Sequence, residues 1–342
     1  MVYISKDGEV IRTESGPNQV LELYDAWNNG AKQITLYTSG STGTPKEIVL
    51  TREAIEASAG MTTKAFHLDA EDLFVCNLNT DYIGGKMMII RAALLGAEIL
   101  AVPPNRNPFE ELEAQAYILH QNRGKNFQSF VPMQLQAILE VPKHIELLKT
   151  AKAILSGGAP VPLELKKKIK ELDLPVFETY GMTETISHIA IKDLRTNYEH
   201  FTALEGVHLS TDERNCLQIS APSTLGETIT TNDVVELTSP TTFVLKGRAD
   251  LTINSGGVKI QAEVVERMIA EAYPSIGTFF CFGLPDKTLG QRLVMVVEGP
   301  APNIDWEQIP LPKYHKPKEI ISIPEFTRTA SGKIDKLKTL HL

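Results

Sequence analysis

The sequence predicts an α/β fold: a large α/β domain, nucleotide-binding in character, with a small C-terminal α+β domain. Three observations predict it. A short apolar strand at 153–155, a helix marked by Leu165, Ile169 and Leu172 with a lysine-rich outer face, and a strand at 175–179 form one strand–helix–strand unit. Its two strands should run parallel. The 342 residues exceed one compact core of ordinary size. Beyond Gly247-Arg248-Ala249-Asp250 the texture changes to a helix at 261–272 and strands at 278–282, 292–297 and 319–323. The boundary is placed at Asp250, giving domains 1–249 and 250–342.

The remaining elements follow in chain order. The residues before Gln33 contain Gly16-Pro17 and Asn28-Asn29-Gly30 and read as an irregular lead-in around one helix. Residues 33–38 alternate polar and apolar side chains and are rich in β-formers, so they read as a strand. A polar, glycine-bearing loop follows, and then a strand at 48–50. Thr51 suits an N-cap, with Ile55, Ala59, Thr62 and Phe66 on one helical face. After 153–155 comes Ser156-Gly157-Gly158-Ala159-Pro160, and after 175–179 a turn at 180–183. Ligands of such sheets bind beyond the carboxyl ends of the strands. Both turns and the distant 39–46 loop are therefore candidates for one pocket.

Composition narrows the function classes. Apolar residues make up 42% and charged residues 22%, the balance of a folded chain. The net charge of −8 argues against a general nucleic-acid binder, whose footprint is a basic face. It leaves room for one anionic metabolite, because a pocket can be locally positive on an acidic protein. Cys76, Cys216 and Cys281 lie far apart and fit neither a disulfide framework nor paired zinc ligands. Reduced thiols of a cytoplasmic protein are the favoured reading. The N-terminus has no apolar signal region, and the most apolar stretch, 87–102, is broken by Arg91 and Glu98, too polar for a membrane span.

The strongest motif is Tyr37-Thr38-Ser39-Gly40-Ser41-Thr42-Gly43-Thr44-Pro45-Lys46. Glycines admit close backbone approach, hydroxyls donate, and a lysine supplies a point charge, so the segment suits a polyphosphate. A plain polar turn is the competing reading, and the density of donors ending in lysine outweighs it. The segment is not a P-loop, because Pro45 precedes Lys46, Glu47 follows it, and a strand rather than a helix comes next. No Gly-x-Ser-x-Gly nucleophile elbow is present.

The segment resembles the phosphate-binding loop of the adenylate-forming superfamily, which includes acyl-CoA synthetases, luciferases and peptide-synthetase adenylation domains. Four further segments match in order: Thr179-Tyr180-Gly181-Met182-Thr183-Glu184; Gly247–Asp250 with Ser255-Gly256-Gly257-Val258-Lys259-Ile260; 311–317; and Thr327 through Lys333 to Ile334. The resemblance runs from about residue 33 to the end, and five motifs in order are highly specific. Tyr82-Ile83-Gly84-Gly85-Lys86-Met87-Met88 and Tyr180 through His188 lean toward the compact o-succinylbenzoate–CoA ligase group.

The resemblance implies a set of roles. Thr38, Ser39, Gly40, Ser41, Thr42, Gly43 and Lys46 would hold the β- and γ-phosphates of ATP. Tyr180 would stack on adenine, with Thr179 and Gly181 beside it and Gly157, Gly158 and Ala159 leaving room. A Tyr after a strand is otherwise a packing residue. Thr183 would donate to the α-phosphate, with a helix N-cap as its competing reading. Glu184 would contact Mg²⁺, for which one carboxylate and waters suffice. Asp233 would accept from the ribose with Arg248 nearby. Here Thr231-Asn232-Asp233 stands where the family usually has Thr-Gly-Asp, and Asn can take the left-handed turn Gly allows.

Lys333 would stabilise the charge built up as a carboxylate attacks the α-phosphorus. Asp250 would be the hinge on which the small domain turns, bringing Ser255-Gly256-Gly257 in for thioester formation with coenzyme A. For the carboxylate substrate, Tyr82, Gly84, Gly85 and Met87 could shape a pocket and Lys86 pair with a second carboxylate. Met87 to Ile90 also read as core, and Lys86 as a snorkelling surface lysine. His188 reads as a pocket residue or a satisfied core histidine, the latter favoured. The resemblance implies an ATP-dependent carboxylate–CoA ligase. The alternatives are a ligase for another aryl or acyl carboxylate, or a non-catalytic nucleotide sensor.

Overall fold

The computed structural model describes residues 1–14, 16–39, 45–328 and 334–341. The chain packs into two units. The first comprises Met1–Ser210, Gln218–Ile229 and Leu237–Phe243; the second comprises Thr211–Leu217, Thr230–Glu236 and Val244–Leu342. The second unit thus takes residues 244–249 and two short earlier segments in addition to those after Asp250.

The first unit opens with β1 (Val2–Ile4), β2 (Val10–Arg12) and α1 (Asn18–Asn28), then β3 (Gln33–Ser39), β4 (Pro45–Thr51) and α2 (Arg52–Phe66). There follow β5 (Leu73–Cys76), α3 (Ile83–Leu95), β6 (Glu98–Ala101), α4 (Ala116–Gln121) and β7 (Asn126–Phe130). After α5 (Pro132–Ile138) and α6 (Pro142–Leu148) come β8 (Ala151–Ser156), α7 (Leu163–Glu171), β9 (Val176–Met182), β10 (Ser187–Asp193) and β11 (Phe201–Ala203). Strands β12 (His208–Thr211), β13 (Cys216–Ser220), β14 (Thr228–Ser239) and β15 (Thr242–Arg248) contribute residues to both units.

The first unit's sheet has the order β11-β10-β9-β8-β7-β5-β6-β1-β2. Its middle, β6-β5-β7-β8-β9, is parallel throughout, including the predicted β8–α7–β9 unit. Helices on both faces bury such strands from both sides. Accordingly every residue of β5 and β7 is buried.

The lead-in is more regular than its composition suggests. Strand β1 pairs antiparallel with β6, and β2 with β1, so the start of the chain closes one edge of the sheet. Val2, Ile4, Val20 and Trp27 are buried. These strands are three residues long, too short to show an alternation.

Strands β3 and β4, expected on either side of the loop, pair as an antiparallel hairpin, with Thr38 opposite Lys46 and Ser39 opposite Pro45. Helix α2 starts where expected: Thr51 accepts the Ala54 N–H at 3.3 Å, and Ile55, Ala59, Thr62 and Phe66 are buried. In α3, Met87, Met88, Ile89 and Ile90 are fully buried. Met87 and Ile90 pack with Trp27, Leu36, Leu50 and Ile55, which is the core reading of Met87. Each such side chain removed from water contributes about 1.5–3 kcal/mol before entropy.

The second unit is α+β, as predicted after Asp250. It contains β16 (Thr252–Ser255), β17 (Val258–Gln261), α8 (Ala262–Ala272), β18 (Phe279–Asp286), β19 (Gly290–Glu298), β20 (Glu319–Ile323) and α9 (Lys336–Thr339). The strand order is β17-β16-β19-β18, with β20 parallel to β19. Its core joins Val265 and Ile269 of α8 to Ile253, Ile260, Leu293, Met295 and Val297. All three cysteines are buried and free. Among the described residues no helix is long and apolar enough to cross a membrane.

Candidate active site

The carboxyl ends of β8 and β9 lie side by side, with Ser156 opposite Glu178. This juxtaposes Gly157–Ala159 with Thr179–Gly181, as the sequence predicts. The fit is close: a Cβ on Gly157 would lie 2.5 Å from Thr179 Oγ1. Thr179 Oγ1 donates to the Ser156 carbonyl at 3.1 Å, and Gly158 takes φ +83°, which favours glycine. A side chain at 157 would push the Thr179 hydroxyl out of this bond.

Two local expectations fail here. Strand β9 runs on to Met182, so Tyr180 and Gly181 belong to the strand and the turn starts at Thr183. The turn closes with the Ile186 N–H on the Thr183 carbonyl at 3.0 Å, and β10 returns antiparallel from Ser187. Thr183 therefore caps no helix. Ile186 and Ser187 hold φ +54° and +75°, and the Thr185 hydroxyl bridges the Met182 carbonyl and N–H. A one-residue hydroxyl staple takes the place of a helical first turn. Opposite it, a Cβ on Gly181 would lie 2.2 Å from the Ser187 carbonyl oxygen.

Thr183 and Glu184 stand at the tip of this turn, Thr183 half-buried and Glu184 exposed. Among the described residues, neither side chain has a hydrogen-bonding or ionic partner. A carboxylate and a hydroxyl left open at a strand end suit a hard cation and a phosphate oxygen. Tyr180 is only 8% exposed, its ring 5.0 Å from Phe243 and 5.8 Å from Phe201. Both packing and a role toward a ligand are open to a ring so placed, through different edges.

Glu178, two residues before Tyr180, is buried and charged. Its carboxylate accepts the Val161 N–H at 2.8 Å and pairs with Lys192 at 2.8 Å and Lys166 at 3.2 Å. Burial alone would raise its carboxyl; the two lysines outweigh that and hold it below the ordinary glutamate range. The sequence reading assigned Glu178 nothing. Its only signal was a charge on a strand of otherwise apolar, buried type.

Of the residues read as shaping a carboxylate pocket, Tyr82 is 60% exposed just before α3, and the Lys86 ammonium, half-buried, is pushed down by burial. Gly85 is close-packed: a Cβ there would meet the Asn79 carbonyl oxygen at 2.4 Å. His188 is a satisfied core residue, its ring nitrogens 3.2 Å from Thr62 Oγ1 and 3.3 Å from Ser187 Oγ. Burial and the neighbouring Arg91 charge keep it well below the usual histidine range. Arg91 went unassigned in the sequence. It is 1% exposed, donates to Ser187 Oγ at 3.3 Å, and leaves its Nε without a partner. Desolvation pushes its guanidinium down to about 9. No carboxylate pairs with it among the described residues.

In the second unit, Arg248 chelates Asp250 at 2.9 and 2.7 Å and reaches Asp233 at 3.4 Å. Asn232 lies inside β14 and takes no left-handed turn; it accepts from Arg214 at 3.3 Å. The strand's pairing, rather than a glycine-like kink, presents Asp233. Ser255 and Val258 pair across a two-residue turn with Gly256 at φ +58° and Gly257 at +82°. Two consecutive positive φ values are the signature of a tight hairpin turn. The Gly256 N–H donates to the Leu289 carbonyl at 2.8 Å.

Gly40, Ser41, Thr42, Gly43 and Lys333 lie outside the described residues. The backbones of Thr38, Ser39 and Lys46 lie on β3 and β4.

Comparison with known proteins agrees with this architecture. The family model for the AMP-binding enzyme matches residues 25–207, more than half of the chain. The 2-succinylbenzoate–CoA ligase of Escherichia coli (strain K12) is 28% identical over 317 residues, covering 87% of this chain and 66% of that protein. This chain thus spans just under two-thirds of that relative's length. The acyl-CoA synthetase (AMP-forming)/AMP-acid ligase II-like protein from Dyadobacter fermentans DSM 18053 is 36% identical, with 100% of this chain and 99% of that chain covered and a TM-score of 0.66. The o-succinylbenzoate coenzyme A synthetase of Bacillus subtilis, solved with ATP and magnesium ion, shares the fold at a TM-score of 0.74 and 20% identity, over 90% of this chain and 69% of that one. With the paired strand-end turns and the open Thr183–Glu184 tip, these likenesses place the chain: it belongs to the AMP-binding enzyme family.

Proposed function

We propose that this chain is an ATP-dependent, AMP-forming carboxylate–CoA ligase, with o-succinylbenzoate as the substrate of first choice. The observation that carries the reading is the open Thr183–Glu184 tip at the end of β9, the strand whose Thr179 adjoins the glycine turn at 157–159, on the sheet edge where an α/β protein takes its ligand. Membership of the AMP-binding enzyme family and five motifs in order give that edge its chemistry.

ATP would lie with its adenine toward Tyr180 and Gly157–Ala159 and its phosphates toward the 38–46 segment; Asp233, in the second unit, is the residue that the resemblance assigns to the ribose. Mg²⁺, held through Glu184, would screen the charge of those phosphates. Attack by the substrate carboxylate joins it to AMP and expels pyrophosphate. Thr183 and Lys333 supply donors to the oxygens on which charge develops. Rotation about Asp250 would then exchange Lys333 for the Ser255–Gly257 turn, and the thiol of coenzyme A displaces AMP. The domains of this reading are 1–249 and 250–342.

What favours an acid with a second carboxylate is Arg91. A buried guanidinium without a counter-charge costs stability unless an anion completes it. It sits one hydrogen bond from Ser187, at the end of the Thr183–Ile186 turn. Lys86 lies five residues before it, on the same helix.

The test is pyrophosphate release across a panel of mono- and dicarboxylates, with and without coenzyme A. Release that needs a carboxylate, with thioester formed only when the thiol is added, supports the ligase. ATP binding without turnover on any acid leaves a nucleotide sensor. Turnover on monocarboxylates alone removes o-succinylbenzoate.

A further inference from the structure

We propose that Glu178 is a positioning residue that sets the width of the nucleotide edge, by tying the far end of the 157–160 turn to strand β9; this rests on the nucleotide reading of that edge. The turn is tethered twice to adjacent residues of one strand. Thr179 holds its start, through Ser156, and Glu178 holds its end, through the Val161 N–H at 2.8 Å. Tyr180 is the next residue along. The gap between the glycine turn and the tyrosine is therefore fixed by the two residues that precede the tyrosine.

The ion pairs make this tether rigid. Glu178 and Lys192 face each other across β9 and β10 and are 6% and 8% exposed, and Lys166 adds a second cation from α7. The Lys192 ammonium also lies 4.5 Å over the Phe201 ring, which packs against Tyr180. One buried cation thus links the carboxylate that holds the turn to the rings behind the tyrosine. A stability role does not require this arrangement. An apolar residue of similar volume at a buried strand position is as stable as an ion pair, or more so. What an apolar residue cannot do is accept the Val161 N–H.

The experiment compares Glu178→Gln with Glu178→Ala. Both strip the lysines of their counter-charge, but glutamine keeps an acceptor for Val161. Titration of ATP by calorimetry, with no carboxylate present, is read beside thermal denaturation. The KM for the carboxylate substrate is measured separately. ATP affinity should fall about tenfold in Glu178→Ala and less than about threefold in Glu178→Gln, the loss of one charge-assisted hydrogen bond against its partial retention. Glu178→Ala should also lose more thermal stability than Glu178→Gln, because it leaves the buried Val161 N–H unpaired and a cavity behind, with the carboxylate KM unmoved in both. Equal ATP affinity in the two variants, or a carboxylate KM that rises along with the loss of ATP affinity, overturns the proposal. If Glu178→Ala does not fold, Glu178→Met with Lys192→Met removes the buried pair as a set and should show the same loss of ATP affinity in a stable protein. Unchanged affinity there overturns the proposal equally. Absence of ATP binding by the unaltered chain removes the nucleotide reading itself, and this proposal with it.

Discussion

Two charged clusters, one in each unit, are built in opposite ways. Glu178, Lys192 and Lys166 share a buried carboxylate with a backbone N–H, and the central pair is 6% and 8% exposed. Asp233, Arg248 and Asp250 have a bidentate pair of good geometry, yet Arg248 and Asp250 are 47% and 46% exposed. In water an ion pair is cheaply exchanged for hydration; in the interior it is not. The first cluster suits a part that must stay still. The second suits a segment proposed to change its backbone angles during turnover.

The sharpest way to break this contrast is Lys192→Ala. It leaves a buried carboxylate with Lys166 alone and should lower stability by about 3–5 kcal/mol in urea unfolding. A loss below about 1 kcal/mol would mean the interior pair is no firmer than the surface one. Next in size is Arg91→Met, which removes a buried charge that has no carboxylate. Stability should hold or rise, while the KM for a dicarboxylate rises about tenfold and that for a monocarboxylate stays put. An equal rise for both acids would dissociate Arg91 from the second carboxylate.

A smaller effect follows from acid. The folded Glu178 carboxyl is held below its unfolded value near 4.3, so its contribution is present above that pH and is lost as pH falls through the folded value. Glu178→Gln should therefore flatten the fall in stability below about pH 4.3, seen by thermal melts at stepped pH. A wild-type slope in the variant would assign that limb to other carboxylates. The smallest effect is expected of Asp250→Ala. Its stability should change by no more than about 1 kcal/mol, while the ratio of adenylate formation to thioester formation shifts. A stable variant with an unaltered ratio would detach the exposed cluster from the hinge.

Much of this organisation was legible because it is local. The β3–β4 hairpin, the Thr51 cap of α2, the β8–α7–β9 unit and the Ser255–Val258 turn each announce themselves within a few residues. What escaped depends on partners distant in sequence. Strands β1 and β2 have three residues each and exist because β6 offers an edge. Arg91 reads as a blemish in an apolar run, and only the fold reveals that it is buried without a carboxylate. Glu178 reads as one polar residue in a strand until β10 brings Lys192 opposite it. The helix N-cap weighed as a competing reading of Thr183 lost to a strand continuation, because β10 pairs back through His188.

Gly181 carries a further implication. Any side chain there would drive into the Ser187 carbonyl and the His188 backbone, prising apart the hairpin whose tip holds Thr183 and Glu184. Substitution is barred at this point by backbone atoms that cannot swing aside. On the proposed reading, a change of acid then falls to the helix that bears Lys86 and Arg91, around a junction that tolerates hydrogen and nothing larger.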